Sequence, residues 1–427
     1  MKNAIKRHYH WVILAVLFSE MIIYGGIGNA LGVFTIPITE GLGIGRGAYA
    51  LTGSVQSLVG AASTMLAAVL FRRFGYRRSA IFSLGICALS YALRGLSGNF
   101  WVFLFSRAIY GVAVGALDTT GAVRTVDSWF HKHKGLILGA VSMATGLGGS
   151  IMSILLTAII TRWGWRTACF VLSGFFVFLI LLYLLVRDKP EDMGLEPYGE
   201  REMPKKKEKV HPSHENWHGR SLKELLHMPH FYLMAACTFL SIFFAKMVFV
   251  STIPHFQDIG FSAAEAAAFN SVMMLGLAAA KLGCGELCDI IGAKKVAIIC
   301  MVCLVISQVL MGMVSSTWVA YLSMVILAVG LVMWTIMVPL LTRPLFGYAP
   351  SDSLIGLFLG LVTLSGMFAE PVINYFYDFL GSYRPVYYIG AALTVVVTVM
   401  YFVLFKVCDK DKERYLMEEE LAHGTKQ

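Results

Sequence analysis

Several ionisable side chains stand inside long apolar runs of this chain: Glu20 in the first run, Arg107 and Asp118 in the fourth, Lys246 in the seventh, Lys281 in the eighth and Glu370 beside Pro371 near the end of the eleventh. A charge held at the centre of a bilayer costs at least about 2.5 kcal/mol, so each is a candidate for binding or carrying something. Glu20 lies about nine residues into its run, roughly 14 Å at helical rise and close to the midplane. A carboxylate there suits a proton carrier, because burial disfavours its charged form; a structural pair, including one with Lys246, is the other reading. Lys281 and Lys246 suit an anionic ligand, and their alternatives are snorkelling to an interface or, for Lys281, a bond to Glu286. Tyr24 and Asn29 bracket Gly25-Gly26-Ile27-Gly28, a small-residue stretch that breaks the first run and either lets helices approach or lets backbone line a cavity.

The elements that must hold these groups are membrane helices. Of the 427 residues, 57% are hydrophobic and 14% charged, with mean hydropathy +0.69, too little charge to dress a soluble surface. The apolar residues fall into runs of the roughly 20 residues that a spanning helix needs. Spans are expected at 11–35, 48–71, 79–97, 100–124, 135–160 and 167–187, then at 231–254, 264–285, 293–313, 317–341, 353–375 and 385–406. The expected organisation is a six-helix bundle over 1–187, a cytoplasmic linker over 188–228, a second six-helix bundle over 229–406 and a charged cytoplasmic tail over 407–427. The run after Met1–His10 is too long for the apolar part of a cleavable signal, so the first helix is expected to be retained.

Basic residues set the orientation. Lys2, Lys6 and Arg7, the loop with Arg72, Arg73, Arg77 and Arg78, and the loop with Lys132 and Lys134 share one side with both termini, and that side reads as cytoplasmic. The net charge of +9 is accounted for by this placement, which argues against a nucleic-acid partner. The cluster Lys205-Lys206-Lys207-Glu208-Lys209 reads as a solvated linker, with anionic lipid headgroups as the other contact. Trp11, Trp101, Trp163, Trp165 and Trp318 stand near span ends, as interfacial anchors do, and His255 is expected in a solvated loop. Cys284/Cys288 and Cys300/Cys303 have helical spacing but no matching histidines, so packing is expected over a metal site. No phosphate-binding Gly-x-x-x-x-Gly-Lys-Ser/Thr segment, metalloprotease motif or catalytic triad motif appears, and neither an enzyme nor a cofactor is expected.

The chain repeats. Gly75 and Gly292, Gly139 and Gly356, and Gly149 and Gly366 share one offset in the numbering, 217, and Trp165-Arg166 matches Tyr383-Arg384 at 218. Two halves with one helix order and one orientation follow from this nearly constant offset. The fold class expected is all-α: twelve transmembrane helices in two pseudo-symmetric six-helix bundles.

The residues of the repeat carry a family resemblance. Gly285-Glu286-Leu287-Cys288-Asp289-Ile290-Ile291-Gly292-Ala293-Lys294-Lys295 resembles the signature loop of the major facilitator superfamily, whereas the first copy has Arg72 at the acidic position and Ala68 at the first glycine. Arg107, Gly111 and Gly115 resemble a second motif of that superfamily, which implies a role for Arg107 in proton coupling. Gly139, Gly146, Gly148 and Gly149 resemble its antiporter motif without the proline. Trp129-Phe130, Trp163-Gly164-Trp165-Arg166, Arg187-Asp188-Lys189-Pro190 and Asp258-Ile259-Gly260-Phe261 together resemble the oxalate/formate antiporter and monocarboxylate porter group. That group commonly has an arginine at the position of Lys281, which implies a contact with a substrate carboxylate. The chain departs from the group at Asn29, where the porters have a lysine, and at Leu277, where some have an acid. It also has no lysine in span 11, unlike the oxalate exchangers.

The expectation is a secondary transporter of a small organic anion, a mono- or dicarboxylate, working by alternating access as proton symport or anion exchange in the cell membrane, and monomeric. Lys281, Lys246, Asn29 and Tyr24 would bind substrate. Glu20 and Arg107 would couple, and Arg72, Arg73, Arg77, Asp118, Arg124, Asp289 and Lys294 would form the gate. Proton-coupled efflux of amphipathic compounds is the alternative within transport, and a membrane sensor without flux is the alternative outside it.

Overall fold

The computed structural model describes residues 9–117, 125–126, 128–130, 134–187, 190–193, 195, 198, 219–347 and 350–424. Among the described residues the long helices number twelve: α1 over Tyr9–Asn29, continued by Leu31–Leu42; α2 over Arg46–Phe74; α3 over Tyr76–Leu96; α4 over Phe100–Leu117; α5 and α6 over 134–163 and 165–183; α7 over Pro229–Asp258; α8 over Ala263–Ile291; α9 over Ala293–Met313; α10 over Thr317–Phe346; α11 over Ser351–Leu380; and α12 over Arg384–Gly424. Nine of the described helices are long and apolar enough to cross a membrane. Gly139–Tyr183 among them is two spans joined at Gly164, and α2 and α4 complete the set. α12 continues through the charged stretch beyond Lys406 as unbroken helix.

The repeat expected from glycine spacing is written in the backbone. Gly43, Gly75 and Gly164 have φ of 63°, 80° and 81°; their counterparts at the repeat offset, Gly260, Gly292 and Gly381, have φ of 105°, 89° and 68°. Positive φ strains any side chain with a Cβ, so these turns between helices are the places where glycine is required. α2 and α3 run over Arg46–Phe74 and Tyr76–Leu96, and α8 and α9 over Ala263–Ile291 and Ala293–Met313, every boundary displaced by that same offset. A hydrogen bond repeats too: Arg166 Nη2 donates to the carbonyl of Ser97 at 3.1 Å, and Arg384 Nη2 to that of Val314 at 3.2 Å.

Two compact units form. The first comprises Met1–Lys209 with Thr252–Leu275, and the second Val210–Ser251 with Gly276–Gln427. In the first unit α2 packs on α4, and α3 packs on α4 and on α6. Small residues permit this closeness: a Cβ at Gly111 would stand 2.6 Å from the carbonyl oxygen of Gln56, and one at Gly26 would stand 2.6 Å from the backbone of Gly148. Thr252–Leu275 is held within this unit by Asn270 Nδ2 donating to Ser153 Oγ at 2.7 Å, by Ser271 Oγ donating to the Ser150 carbonyl at 3.0 Å and by a two-bond pair between Arg46 and Asp258. In the second unit α9 packs on α10 and α12, and Gln308 accepts from Thr394 at 3.1 Å. There the Ser221–Glu224 capping box opens the short helix Leu222–Leu225, while the neighbouring Arg220 reaches Asp411 and Glu418 of α12 at 3.5 and 3.2 Å.

Candidate functional site

α1 is irregular where Tyr24 to Asn29 interrupts its apolar run. A π-turn occupies Met21–Gly25, a single α-turn follows over Gly26–Asn29, and Leu31–Phe34 is a 3₁₀ turn. The glycines serve helix approach: Gly26 lies against Gly148, Gly25 against Thr145, and Asn29 Nδ2 donates to the Thr145 carbonyl at 3.1 Å. Widened turns of this kind place side chains off the regular helical positions. Glu20 stands immediately before the π-turn and is fully buried. Tyr183 of α6 donates its hydroxyl to Glu20 Oε2, and the Tyr183 oxygen lies 3.1 Å from that of Tyr76. Glu20 Oε1 is buried and accepts no hydrogen bond among the described residues. The carboxylate therefore has one satisfied and one open oxygen, an arrangement able to take a proton without breaking its existing bond.

The same unit holds a set of arginines and tyrosines. Arg107 is buried on α4, donating from Nε to Thr52 at 3.1 Å and from Nη1 to Gln56 at 3.0 Å. Tyr24 stacks on Tyr110 with centroids 6.3 Å apart, and Tyr110 together with Tyr91 carries the guanidinium of Arg94. Arg94 has a weak signature in the sequence, since it stands near the end of an apolar run like an ordinary boundary charge. Its spacing of three from Tyr91 is the readable sign, because that interval stacks a cation on a ring within one helix.

In the second unit Lys246 is half-buried on α7, with its ammonium 4.8 Å from the centroid of Trp334. Trp334 belongs to a π-turn, Met333–Met337, inside α10. Glu370 of α11 is within electrostatic reach of Lys246. Gly366 leaves the space that the lysine fills: a Cβ there would stand 2.8 and 2.9 Å from Lys246 Cδ and Cε. Lys281 is half-buried on α8 with no hydrogen bond or ion pair among the described residues. Glu20 and Lys246, readable from sequence as a pair, each have neighbours within their own unit, Tyr183 for the acid and Trp334 with Glu370 for the base.

Of the residues expected at the gate, Arg72, Arg73 and Arg77 belong to the first unit and Asp289 and Lys294 to the second. Arg72 is on the last turns of α2, and Arg73 is exposed there with its guanidinium 5.5 Å from the Phe74 centroid. Arg77 donates to the carbonyls of Tyr183 and Leu184 at 3.2 and 2.7 Å and so caps α6. Asp289 is exposed near the end of α8, and Lys294 pairs with Asp409 of α12. Asp118 and Arg124 lie outside the described residues. Trp11, Trp101, Trp163 and Trp318 are exposed, whereas Trp165 is buried against Gly41. His255 is 1% exposed inside α7 rather than in a loop, because the helix runs on past Pro254 to Asp258.

The arrangement is similar to known transporters. The nucleoside transporter NupG superposes with a TM-score of 0.71 over 93% of this chain and 99% of that one, at 13% identity, a likeness of fold. Monocarboxylate transporter 9 of Rattus norvegicus is 30% identical over 167 residues, 38% of this chain and 32% of the relative, so the match spans about a third of that protein's length. The uncharacterized MFS-type transporter YcxA of Bacillus subtilis is 24% identical over 291 residues, 67% of each chain. The sequence profile of the Major Facilitator Superfamily matches residues 16–342 and 236–424, and with twelve helices in two repeated halves that carry buried charges, this multi-pass membrane protein belongs to that superfamily of transporters.

Proposed function

We propose that the protein moves a small organic anion, a mono- or dicarboxylate, by alternating access, coupled to a proton or to a counter-anion. The observation that carries this reading is the state of Lys246 and Lys281: two ammonium groups on membrane helices that make no ion pair among the described residues. Lys281 has no acidic group beside it among the described residues and Lys246 has Glu370 only at a distance; such lysines are costly at membrane depth, and a carboxylate substrate supplies a close counter-charge when it binds. Lys281 and Lys246 bind the carboxylate, Asn29 and Tyr24 meet the rest of the substrate, and Glu20 carries the proton with Arg107 in support. The partial likeness to a monocarboxylate transporter supports the substrate class. Arg72, Arg73, Arg77, Asp118, Arg124, Asp289 and Lys294 act on the face that carries the termini, which is cytoplasmic in the cell membrane by the distribution of basic residues. The bundles over 1–187 and 229–406 move as halves of a monomer around the linker at 188–228, with 407–427 as the tail.

A thermal-shift screen of the purified full-length protein against mono- and dicarboxylates tests the reading, since a ligand of the folded state raises its apparent stability. At least one carboxylate is expected to raise the melting temperature saturably in wild type and not in Lys281→Gln. A flat response across the panel would overturn the substrate class.

A further inference from the structure

Tyr76, the first residue of α3, makes a contact that the role given to Glu20 leaves unused. Its hydroxyl oxygen lies 3.1 Å from that of Tyr183, the last residue of α6, and Tyr183 donates to Glu20 Oε2. A phenol hydroxyl holds a single proton but can accept a bond while it donates one. With the proton of Tyr183 directed at Glu20, Tyr76 is the donor in the contact between the tyrosines. Tyr76, Tyr183 and Glu20 therefore form a chain in which every donor points toward the carboxylate. Exposure grows along it: Glu20 and Tyr183 are fully buried, and Tyr76 is 6% exposed beside the positive-φ turn at Gly75. The tyrosine rings meet edge-on with centroids 6.2 Å apart. The next residue, Arg77, donates to the carbonyls of Tyr183 and Leu184, so α3 holds the end of α6 by backbone and hydroxyl together.

The repeat shows that the fold does not require this chain. At the repeat offset Cys237 corresponds to Glu20 and Ala293 to Tyr76, while Tyr401 corresponds to Tyr183 at the offset that matches Tyr383 to Trp165. Cys237 and Tyr401 are buried, and the Tyr401 hydroxyl lies 3.3 Å from Ser241 Oγ. The middle tyrosine is thus common to both halves, whereas the acid and the outer tyrosine occur together in one and are replaced together in the other. Tyr183 alone satisfies one oxygen of the buried acid. Tyr76 adds a continuation of the chain toward the turn between α2 and α3, which Ala293 has no hydroxyl to supply.

We propose that Tyr76 and Tyr183 are a proton relay that connects Glu20 with the end of the first unit where α2 turns into α3. The relay rests on Glu20 as the proton carrier and is independent of which anion is moved. In one concerted shift Glu20 Oε2 takes the proton of Tyr183, Tyr183 takes that of Tyr76, and a hydronium ion restores Tyr76 and leaves as water. An O–H bond forms for each that breaks, and no tyrosinate is left behind. The hydrogen bonds survive with their direction reversed, Glu20 now donating to Tyr183 and Tyr183 to Tyr76, and rotation of the two hydroxyls resets the chain once Glu20 has given up its proton. The Cys87 thiol of α3, a further titratable neighbour of Glu20, has no place in the chain. Arg77 is a positioning residue, because it fixes the backbone of Tyr183 beside Tyr76.

The test is time-resolved infrared spectroscopy of the full-length protein in liposomes after photorelease of protons from a caged acid. The signal of protonated Glu20 is the carboxylic-acid band that Glu20→Gln lacks. In Tyr76→Phe, which keeps the ring against Tyr183, that band is expected to reach the wild-type amplitude at least about tenfold more slowly. A bond that only supports the structure would change the melting temperature or the amplitude and leave the rate alone. A rise as fast as in wild type would overturn the relay and leave Glu20 as the carrier. Loss of no band in Glu20→Gln would overturn the carrier, and the relay with it. If Tyr76→Phe does not fold, Tyr183→Phe cuts the chain at its other link, and there too a slowed rise supports the relay and an unslowed rise refutes it.

Discussion

Lys246 of α7 lies in the gap that Gly366 leaves on α11, close enough that a methyl group on the glycine would press its Cδ and Cε atoms. The first half contains the same relationship in a neutral version. Asn29 and Gly149 correspond to Lys246 and Gly366 at the repeat offset, and a Cβ on Gly149 would stand 2.8 Å from that of Asn29. Each half therefore sets a polar residue of its first helix against a glycine of its fifth. The change from asparagine to lysine makes one of two equivalent places cationic.

Gly366→Ala is expected to displace the Lys246 side chain without altering its charge. Overpacking of this kind costs about 1–3 kcal/mol, and a tenfold rise in the half-saturating concentration of carboxylate corresponds to roughly 1.4 kcal/mol. Concentration-dependent uptake measures it, and unchanged affinity would show that the lysine's position is immaterial to binding.

Lys281 is expected to be more tolerant of Arg than of Gln. Lys281→Arg keeps the charge and adds a second donor for a carboxylate, so affinity should hold within about threefold, whereas Lys281→Gln removes the charge and should weaken binding at least tenfold, roughly 1.4 kcal/mol. Competition binding with a labelled substrate would separate the two, and equal behaviour of the variants would count against a charge contact.

Glu20→Gln should abolish the pH dependence of net uptake while leaving anion exchange intact. Among the described residues, the groups near the carboxyl include the hydroxyl of Tyr183 on α6, the Tyr76 hydroxyl bonded to it and the Cys87 thiol on α3, none of them a fixed charge. Tyr183→Phe removes the donor seen at Glu20 among the described residues and should move the pH midpoint without erasing the dependence. Uptake profiles between about pH 5 and 8, where such coupling is commonly read, provide the measurement; a profile unchanged in Glu20→Gln would assign the proton elsewhere.

Arg46, half-buried, and Asp258, exposed, meet through two bonds of 2.5 and 2.7 Å. A double-mutant cycle with Arg46→Ala and Asp258→Ala, read by thermal stability, should give a coupling of about 1–2 kcal/mol. Additive losses would mean that the pair does not fasten Thr252–Leu275 within its unit.

Much of the scaffold is legible without coordinates, because a membrane helix must be a long apolar run and the turns between helices must be glycine wherever φ is positive. Gly75 and Gly292 announce both the helix boundaries and the repeat. The break in α1 is legible for the same reason, although its form is not: a π-turn at Met21–Gly25 follows from close packing on Gly148, a tertiary contact with no local signal. Side-chain partners are the least legible part. Tyr183 is 163 residues from the Glu20 it serves, and His255 sits inside a helix that its neighbouring proline marks as a loop. The equivalence of Asn29 and Lys246 is recoverable from the repeat offset. The stacking of Arg94 on Tyr110 of another helix is a fact of three-dimensional packing that spacing does not carry.

Transport itself is tested by uptake of a labelled short-chain carboxylate into proteoliposomes holding the purified full-length protein, with an inward proton gradient or with unlabelled anion inside. Saturable uptake well above that of protein-free liposomes is expected, reduced at least tenfold by Lys246→Gln, a loss equivalent to roughly 1.4 kcal/mol or more. Uptake indistinguishable from protein-free liposomes across mono- and dicarboxylates, under either gradient, would contradict carriage of an organic anion by this protein.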